Sequence, residues 1–131
     1  MKIIKGLFEF SNWKEEDLTI QKIIKNSIEN QIEYRWLLSG KDCGMAIFMM
    51  EGDYATIIAY RRNNESWVPK GIGFEFIKMC IDDILEHKKG IISIDSIRNE
   101  KSDELIKKLS SNYSVIDGTY KGSRAKLITK K

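Results

Sequence analysis

Cysteine, histidine and proline are all scarce in this chain of 131 residues, which holds two cysteines, one histidine and one proline. Cys43 and Cys80 lie far apart and form no C-x-x-C pair, which argues against a disulfide framework. His87 is the single histidine, so the sequence also argues against a Cys/His zinc site. Pro69 marks one turn rather than a linker. We therefore expect one domain over residues 1–131 and no metal.

Long hydrophobic runs and a strong excess of one charge are also missing. No apolar run approaches the length of a membrane span, and lysines interrupt the first residues too soon for a signal peptide. The net charge is +3, from 22 basic and 19 acidic residues, whereas nucleic-acid binding usually requires a strongly basic face. We expect a cytoplasmic protein without membrane contact. Among the hypotheses about its partner, nucleic acid is the weakest.

Runs of β-branched and aromatic residues predict several strands. The predicted strands are Lys2–Phe10, Ile32–Leu38, Met45–Met50, Tyr54–Tyr60 and Ile91–Ile94. From Ser114 onward, the Asp117-Gly118 dipeptide predicts a hairpin with a tight turn.

Three segments predict helices. Asn12 with Glu15 resembles a capping box, and apolar residues near helical spacing extend this prediction to about Asn30. Gly73–Lys89 is the clearest amphipathic helix, and Ser102–Leu109 is a shorter one. The fold class is therefore α/β (α+β), with a mixed, mostly antiparallel central sheet and about three helices. One crossover helix permits one parallel strand pair.

The most informative segment is the glycine turn before the long helix, Val68-Pro69-Lys70-Gly71-Ile72-Gly73-Phe74. The first amides of a helix lack internal partners and carry partial positive charge. Glycine lets a bulky anion approach the backbone closely, so a pyrophosphate fits such a turn. A structural interpretation is equally open at this point, because a G-x-G turn also simply starts a helix.

The position of this turn resembles the GNAT superfamily of acyl-coenzyme A N-acyltransferases, whose Q/R-x-x-G-x-G/A motif joins a central strand to the next helix. The resemblance covers about Gly44 to the C-terminus. It implies that Val68, Lys70, Gly71, Ile72, Gly73 and Phe74 bind acetyl-coenzyme A or another acyl-coenzyme A. Asn99 matches the position of an asparagine that contacts the pantetheine arm in the family. The resemblance also allows a homodimer through sheet edges.

The sequence departs from the family at several positions. Val68 replaces the usual glutamine or arginine, and Pro69 removes one amide donor. The family's tyrosine, which protonates the leaving thiolate, aligns with Ile106. Strand Tyr54–Tyr60 carries no carboxylate, whereas many members place a general base there. These departures put the family's catalytic chemistry in doubt for this chain but leave the expected fold unchanged.

Two residues are the candidates for catalysis. Tyr113 follows the last helix, close to the position of the missing tyrosine, and is the candidate acid; its alternative role is packing on the sheet. Glu65, in the polar loop before the turn, is the candidate base, ahead of the hairpin carboxylates Glu51 and Asp53.

The resemblance leads to two functional hypotheses. The first is a GNAT-like N-acyltransferase, most simply an acetyltransferase, in which an amine-bearing small molecule or protein attacks the thioester directly. The second is a non-catalytic binding or interaction protein with the same fold, which the missing acid and base favour.

Overall fold

A computed structural model describes residues 2–5, 18–25, 30–63, 71–97 and 100–131. Its strands are β1 (Lys2–Lys5), β2 (Leu18–Lys25), β3 (Gln31–Leu38), β4 (Lys41–Glu51), β5 (Tyr54–Arg62), β6 (Gly90–Ile94), β7 (Tyr113–Tyr120) and β8 (Ser123–Lys130). The helices are α1 (Ile72–Leu85) and α2 (Glu100–Leu109), with a 3-10 turn at Asp95–Ile97. Among the described helices, none is long and apolar enough to cross a membrane.

All eight described strands form one sheet in the order β1-β2-β3-β4-β5-β6-β8-β7. Every neighbouring pair is antiparallel except β5 and β6, which run parallel. Parallel neighbours need a long crossover, and α1 supplies it. The predicted mixed, mostly antiparallel sheet is confirmed.

The core lies between α1 and one face of the sheet. Four α1 residues are at most 1% exposed: Phe76, Ile77, Cys80 and Ile81. Their spacing of three and four residues places them on one stripe of the helix. On the sheet side, Trp36 stacks on Phe76 with ring centroids 5.5 Å apart and planes 3° from parallel. The long helix was thus predicted correctly, although it begins at Ile72 and ends at Leu85 rather than Lys89.

The predicted helix from Asn12 to Asn30 is wrong over Leu18–Lys25, which forms β2 between β1 and β3. Its β-branched residues pack well on a pleated surface, and pairing on both edges overrides the helical spacing of its apolar residues. Ile20 and Lys22, two residues apart, are both buried, as expected for a strand. The described residues hold two α-helices rather than three; residues 12–17 and 26–29 lie outside them.

The last hairpin was predicted correctly, but its turn was misplaced. Asp117 and Gly118 lie within β7, and Asp117 pairs with Lys126 of β8. The turn falls at Lys121-Gly122, where both residues have positive φ, 51° and 81°. That combination is the type I′ hairpin turn, whose twist matches the flanking strands.

A buried ionic group connects α1 to the sheet. Asp83 of α1 accepts a hydrogen bond from the Tyr34 hydroxyl at 2.6 Å and pairs with the Lys22 ammonium at 2.8 Å. The Lys22 and Asp83 side chains are only 10% and 2% exposed. Burial, and then the bond to Asp83, raises the pKa of Tyr34 far above its usual range. The tyrosine therefore remains a donor, and the group fixes α1 against β2 and β3.

We expect Asp83→Asn to lower the free energy of unfolding by about 3–5 kcal/mol, because it leaves the Lys22 charge buried without its counter-charge. Urea denaturation measures the change. The control is Glu86→Gln near the end of the same helix, where the exposed carboxylate lies 4.0 Å from His87; we expect a change within about 0.5 kcal/mol there. Equal effects of the two substitutions would contradict the assigned role of Asp83.

Candidate functional site

The parallel strands β5 and β6 are paired over only three residues each. The pairs are Tyr54 with Gly90, Ala55 with Ile91, and Thr56 with Ile92. Beyond Thr56, β5 continues to Arg62 with register partners on β4, while the end of β6 pairs with β8. Within the described part of the chain, a gap therefore opens in the sheet. The edge of β5 facing that gap carries backbone groups that no described strand pairs.

A β-bulge lies at the start of this gap. Ile47 pairs with Ala59 and Phe48 with Ile57, so Ile58 is the extra residue. A bulge changes which side chains face each side of a strand. Ile57 and Tyr60, three residues apart, consequently both pack against the core beneath α1.

Helix α1 begins at the open end of this gap, and no side chain among the described residues caps its start. Gly71 occupies its N-cap position with φ 84° and ψ −10°, a left-handed conformation that favours glycine. A Cβ atom added at Gly71 would meet no atom within 4 Å. The described residues thus leave the space at the Gly71 Cβ position open. The first amides of a helix carry partial positive charge, which suits an anion.

The separated end of β5 lies against the first turn of α1. A Cβ atom added at Gly73 would lie 3.1 Å from the Tyr60 hydroxyl and 3.7 Å from Cδ of Arg62. Tyr60 also makes an edge contact with Trp36, at a centroid distance of 5.3 Å. Burial raises the pKa of Tyr60, although the Arg62 charge partly opposes this shift. At neutral pH the hydroxyl is a hydrogen-bond donor beside the helix start.

The structure places four of the predicted ligand-binding residues together in the first turn of α1 and its cap. Gly71 is exposed, Ile72 and Gly73 are buried, and Phe74 is half-buried with the Lys78 ammonium 5.3 Å from its ring centroid. The other candidate site residues, Glu65, Val68, Lys70 and Asn99, lie outside the described residues and stay predictions.

Tyr113 lies away from this turn. Its hydroxyl donates to the Asp82 carboxylate and lies 3.4 Å from the carbonyl of Lys78. Asp82 comes eleven residues after Gly71 along α1, a distance of about 16 Å at 1.5 Å per residue. Burial, and then the bond to Asp82, raises the pKa of Tyr113 far above its usual range. These contacts fit the packing role considered for this residue, and its role as the acid stays a prediction.

Two hairpin carboxylates and both cysteines, all among the described residues, are engaged or buried. The Glu51 carboxylate accepts a hydrogen bond from Tyr120 and pairs with Lys121, and Asp53 pairs with Lys89 at 3.4 Å. Both cysteine thiols are buried, and burial raises their pKa values, to about 11 for Cys43. The described residues contain no cluster of three or more His, Cys, Asp or Glu suited to a metal.

Sequence reasoning missed the proximity of Tyr60 and Arg62 to the glycine turn. The predicted strand ended at Tyr60, whereas β5 continues to Arg62. Tyr60 was taken only as a strand residue. The bulge at Ile58 decides which residues face α1, and it leaves no local sequence signal. The only available clue was a polar aromatic followed by two arginines at the end of an apolar strand.

Comparison with solved structures places this geometry in a known fold. The chain is similar to the aminoglycoside acetyltransferase AAC(6')-Ib in complex with coenzyme A and kanamycin, with a TM-score of 0.60 and 17% identity over 79% of this chain and 68% of that one. It is also similar to the ribosomal-protein-S18-alanine N-acetyltransferase from Escherichia coli, with a TM-score of 0.55 and 18% identity over the same shares.

A third similar structure is an acetyl transferase from Salmonella typhimurium that modifies the N-terminal serine of ribosomal protein L7/L12 (TM-score 0.51, 12% identity, 76% of this chain and 62% of that one). No protein-family model and no curated protein matches the sequence. At these identities the likeness establishes the fold. The GNAT fold implied by the glycine turn and the order of elements is confirmed.

We expect Tyr113→Phe to lower the free energy of unfolding by about 1 kcal/mol, because one partly exposed hydrogen bond to a carboxylate is lost. Affinity for acetyl-coenzyme A, measured by calorimetry, should stay within twofold of the unchanged protein. A large loss of acyl transfer with unchanged stability and unchanged cofactor affinity would instead support Tyr113 as the acid.

Proposed function

We propose that this protein is an N-acyltransferase that transfers an acyl group from acetyl-coenzyme A, or another acyl-coenzyme A, to an amine. One observation carries the proposal: the start of α1 lies against the end of β5, at the gap where no described strand pairs the β5 edge. The similar aminoglycoside acetyltransferase structure, which contains coenzyme A, supports it.

The start of α1 suits the diphosphate of the coenzyme. The amides around Gly71–Gly73 donate to the anion, and the open space at Gly71 admits it. Tyr60 adds a neutral hydroxyl donor, and Arg62 adds a positive charge. These two β5 side chains supply polar groups at a turn where Val68 replaces the family's usual glutamine or arginine.

The edge of β5 suits the pantetheine arm. Ile57–Arg62 present backbone donors and acceptors on the side where β6 has diverged. An extended ligand with amide groups binds such an edge as an added strand would. The closed end of the gap, at Thr56 and Ile92, then limits how far the arm enters.

The bound coenzyme supplies an acyl group activated as a thioester, and the protein holds it against the amine. The amine nitrogen bonds to the acyl carbon, the bond from that carbon to sulfur breaks, and the nitrogen loses a proton while the thiolate gains one. Holding two reactants in this geometry supplies much of the rate enhancement. Tyr60 and the amides of α1 act in binding and orientation.

A second candidate function is a binding protein that retains the fold without the reaction. Three observations favour it: Ile106 of α2 is buried at the family's tyrosine position, Tyr113 bonds to α1, and β5 carries no carboxylate. Consumption of acetyl-coenzyme A with a panel of primary amines distinguishes the two candidates. Turnover that is lost in a glycine-turn variant supports the enzyme, and binding without any turnover supports the alternative.

The fold indicates the class of acceptor only in broad terms. The similar structures include enzymes named for aminoglycosides and for ribosomal proteins. For this chain the proposal is an amine on a small molecule or a protein. The cytoplasm as its compartment and a homodimer through sheet edges belong to the same proposal, and size-exclusion chromatography tests the dimer.

Substitution of Gly73 by valine should weaken acetyl-coenzyme A binding at least tenfold. The new side chain meets the Tyr60 hydroxyl and occupies the space beside the first amides of α1. Calorimetric titration measures the affinity. Gly118→Ala is the control, because a Cβ at this exposed β7 position meets nothing within 4 Å. Unchanged affinity in a folded Gly73→Val protein would contradict the proposed site.

Tyr60→Phe should weaken acetyl-coenzyme A binding about tenfold, the effect of losing one hydrogen bond to an anionic ligand. Tyr120→Phe serves as the matched control, since that hydroxyl bonds to Glu51 at a different part of the sheet. The same calorimetric titration compares both variants. An equal loss in both would show that the effect of Tyr60→Phe is not specific to the site.

A further inference from the structure

Among the described residues, two large hydrophobic side chains are exposed: Tyr54 at 38% and Ile116 at 56%. Tyr54 begins β5 and Ile116 lies in β7, and two other strands separate them in the sheet. Both side chains nevertheless line one cavity of about 310 Å³, together with Ile92, Tyr120 and Leu127. Exposed apolar groups that converge on one concave site indicate binding rather than chance exposure.

This outer cavity lies on the sheet face opposite α1. Ala55 and Ile91 are register partners in the core beneath α1. Their chain neighbours Tyr54 and Ile92 point to the other face, because side chains alternate along a strand. Leu127 is the register partner of both Ile92 and Ile116, so these three side chains lie side by side.

Contacts between two hairpins border the outer cavity. The Tyr120 hydroxyl of β7 donates to the Glu51 carboxylate at the end of β4, and the Lys121 ammonium lies 3.2 Å from the same carboxylate. These contacts bring the end of the β7–β8 hairpin to the β4–β5 hairpin across the face of the sheet. Tyr120 thereby becomes a wall of the cavity.

The charges around the outer cavity are paired. Glu51 is matched by Lys121, and Asp117 by Lys126. Such a rim attracts neither a polycation nor a polyanion strongly. The apolar lining therefore determines which ligand fits, and a volume of about 310 Å³ suits a small molecule or one side chain.

The outer cavity also adjoins the gap proposed for the coenzyme. Ile92 lines the cavity and, with Thr56, forms the last register pair before β5 and β6 separate. A ligand in the cavity thus lies on the face opposite α1, beside the closed end of the gap. The coenzyme, bound from the start of α1, leaves this face open to a second reactant.

Building on the proposed function, we infer that the outer cavity binds the hydrophobic body of the amine acceptor. The acceptor class is a primary amine carried by an aromatic or branched alkyl group. Polyamines and aminoglycosides, which carry several charges, are poor fits for this site.

NMR titration without acetyl-coenzyme A measures the binding of 2-phenylethylamine and of spermidine. Calorimetry measures the binding of acetyl-coenzyme A separately. We expect 2-phenylethylamine to bind at least tenfold more tightly than spermidine. Ile116→Trp, which fills the cavity, should weaken the binding of 2-phenylethylamine at least tenfold. Ile116→Ser, which removes apolar contact, should weaken the same binding severalfold. Position 116 is exposed, so both variants should fold, and an acetyl-coenzyme A affinity within twofold of the unchanged protein confirms that they do.

Tighter binding of spermidine, or equal 2-phenylethylamine binding in the unchanged and Ile116→Trp proteins, would overturn the inference and leave the proposed function standing. If the unchanged protein binds acetyl-coenzyme A but does not bind 2-phenylethylamine, the inference is also overturned and the proposed function stands. Absence of acetyl-coenzyme A binding to the unchanged protein would overturn the proposed function, and the acceptor role with it, even where the amine binds.

Discussion

The three residue pairs that join β5 to β6 determine most of the architecture. Because these strands are parallel, the chain must cross over between them, and α1 provides that crossover. Because the pairing ends at Thr56 and Ile92, the sheet divides and leaves one edge of β5 without a partner among the described strands. The start of α1 lies beside that edge, as the closeness of Gly73 to Tyr60 and Arg62 shows. The gap and the position of the proposed anion-binding turn thus follow from one topological constraint.

Two interior groups hold α1 in place beside the gap. Near its start, Phe76 stacks on Trp36, which also contacts Tyr60. Further along, Asp83 bonds to Lys22 and Tyr34. Binding sites work best when their donors are fixed before the ligand arrives, since little ordering entropy then opposes binding. These contacts give the amides of α1 a fixed position relative to β5.

The fold was predictable from the sequence where the signals are local. The apolar stripe of α1 and the glycines at its start define the central element and its phosphate-binding hypothesis without any tertiary information. Leu18–Lys25 was not predictable in this way, because its apolar spacing fits a helix and only pairing with β1 and β3 decides the outcome. The positions of Tyr60 and Arg62 beside α1 depend on the bulge at Ile58. The outer cavity depends on two hairpins meeting, and neither feature leaves a local pattern in the sequence.

Backbone amide NMR during an acetyl-coenzyme A titration tests the central claim most directly. The account predicts that the largest shifts occur at Gly71–Gly73, where the diphosphate accepts hydrogen bonds, and at Ile57–Arg62, where the pantetheine arm pairs with the strand edge. Residues of β1 and β2, at the far side of the sheet, should change little. Shifts confined to other parts of the chain, or no shifts at millimolar ligand, would contradict the account.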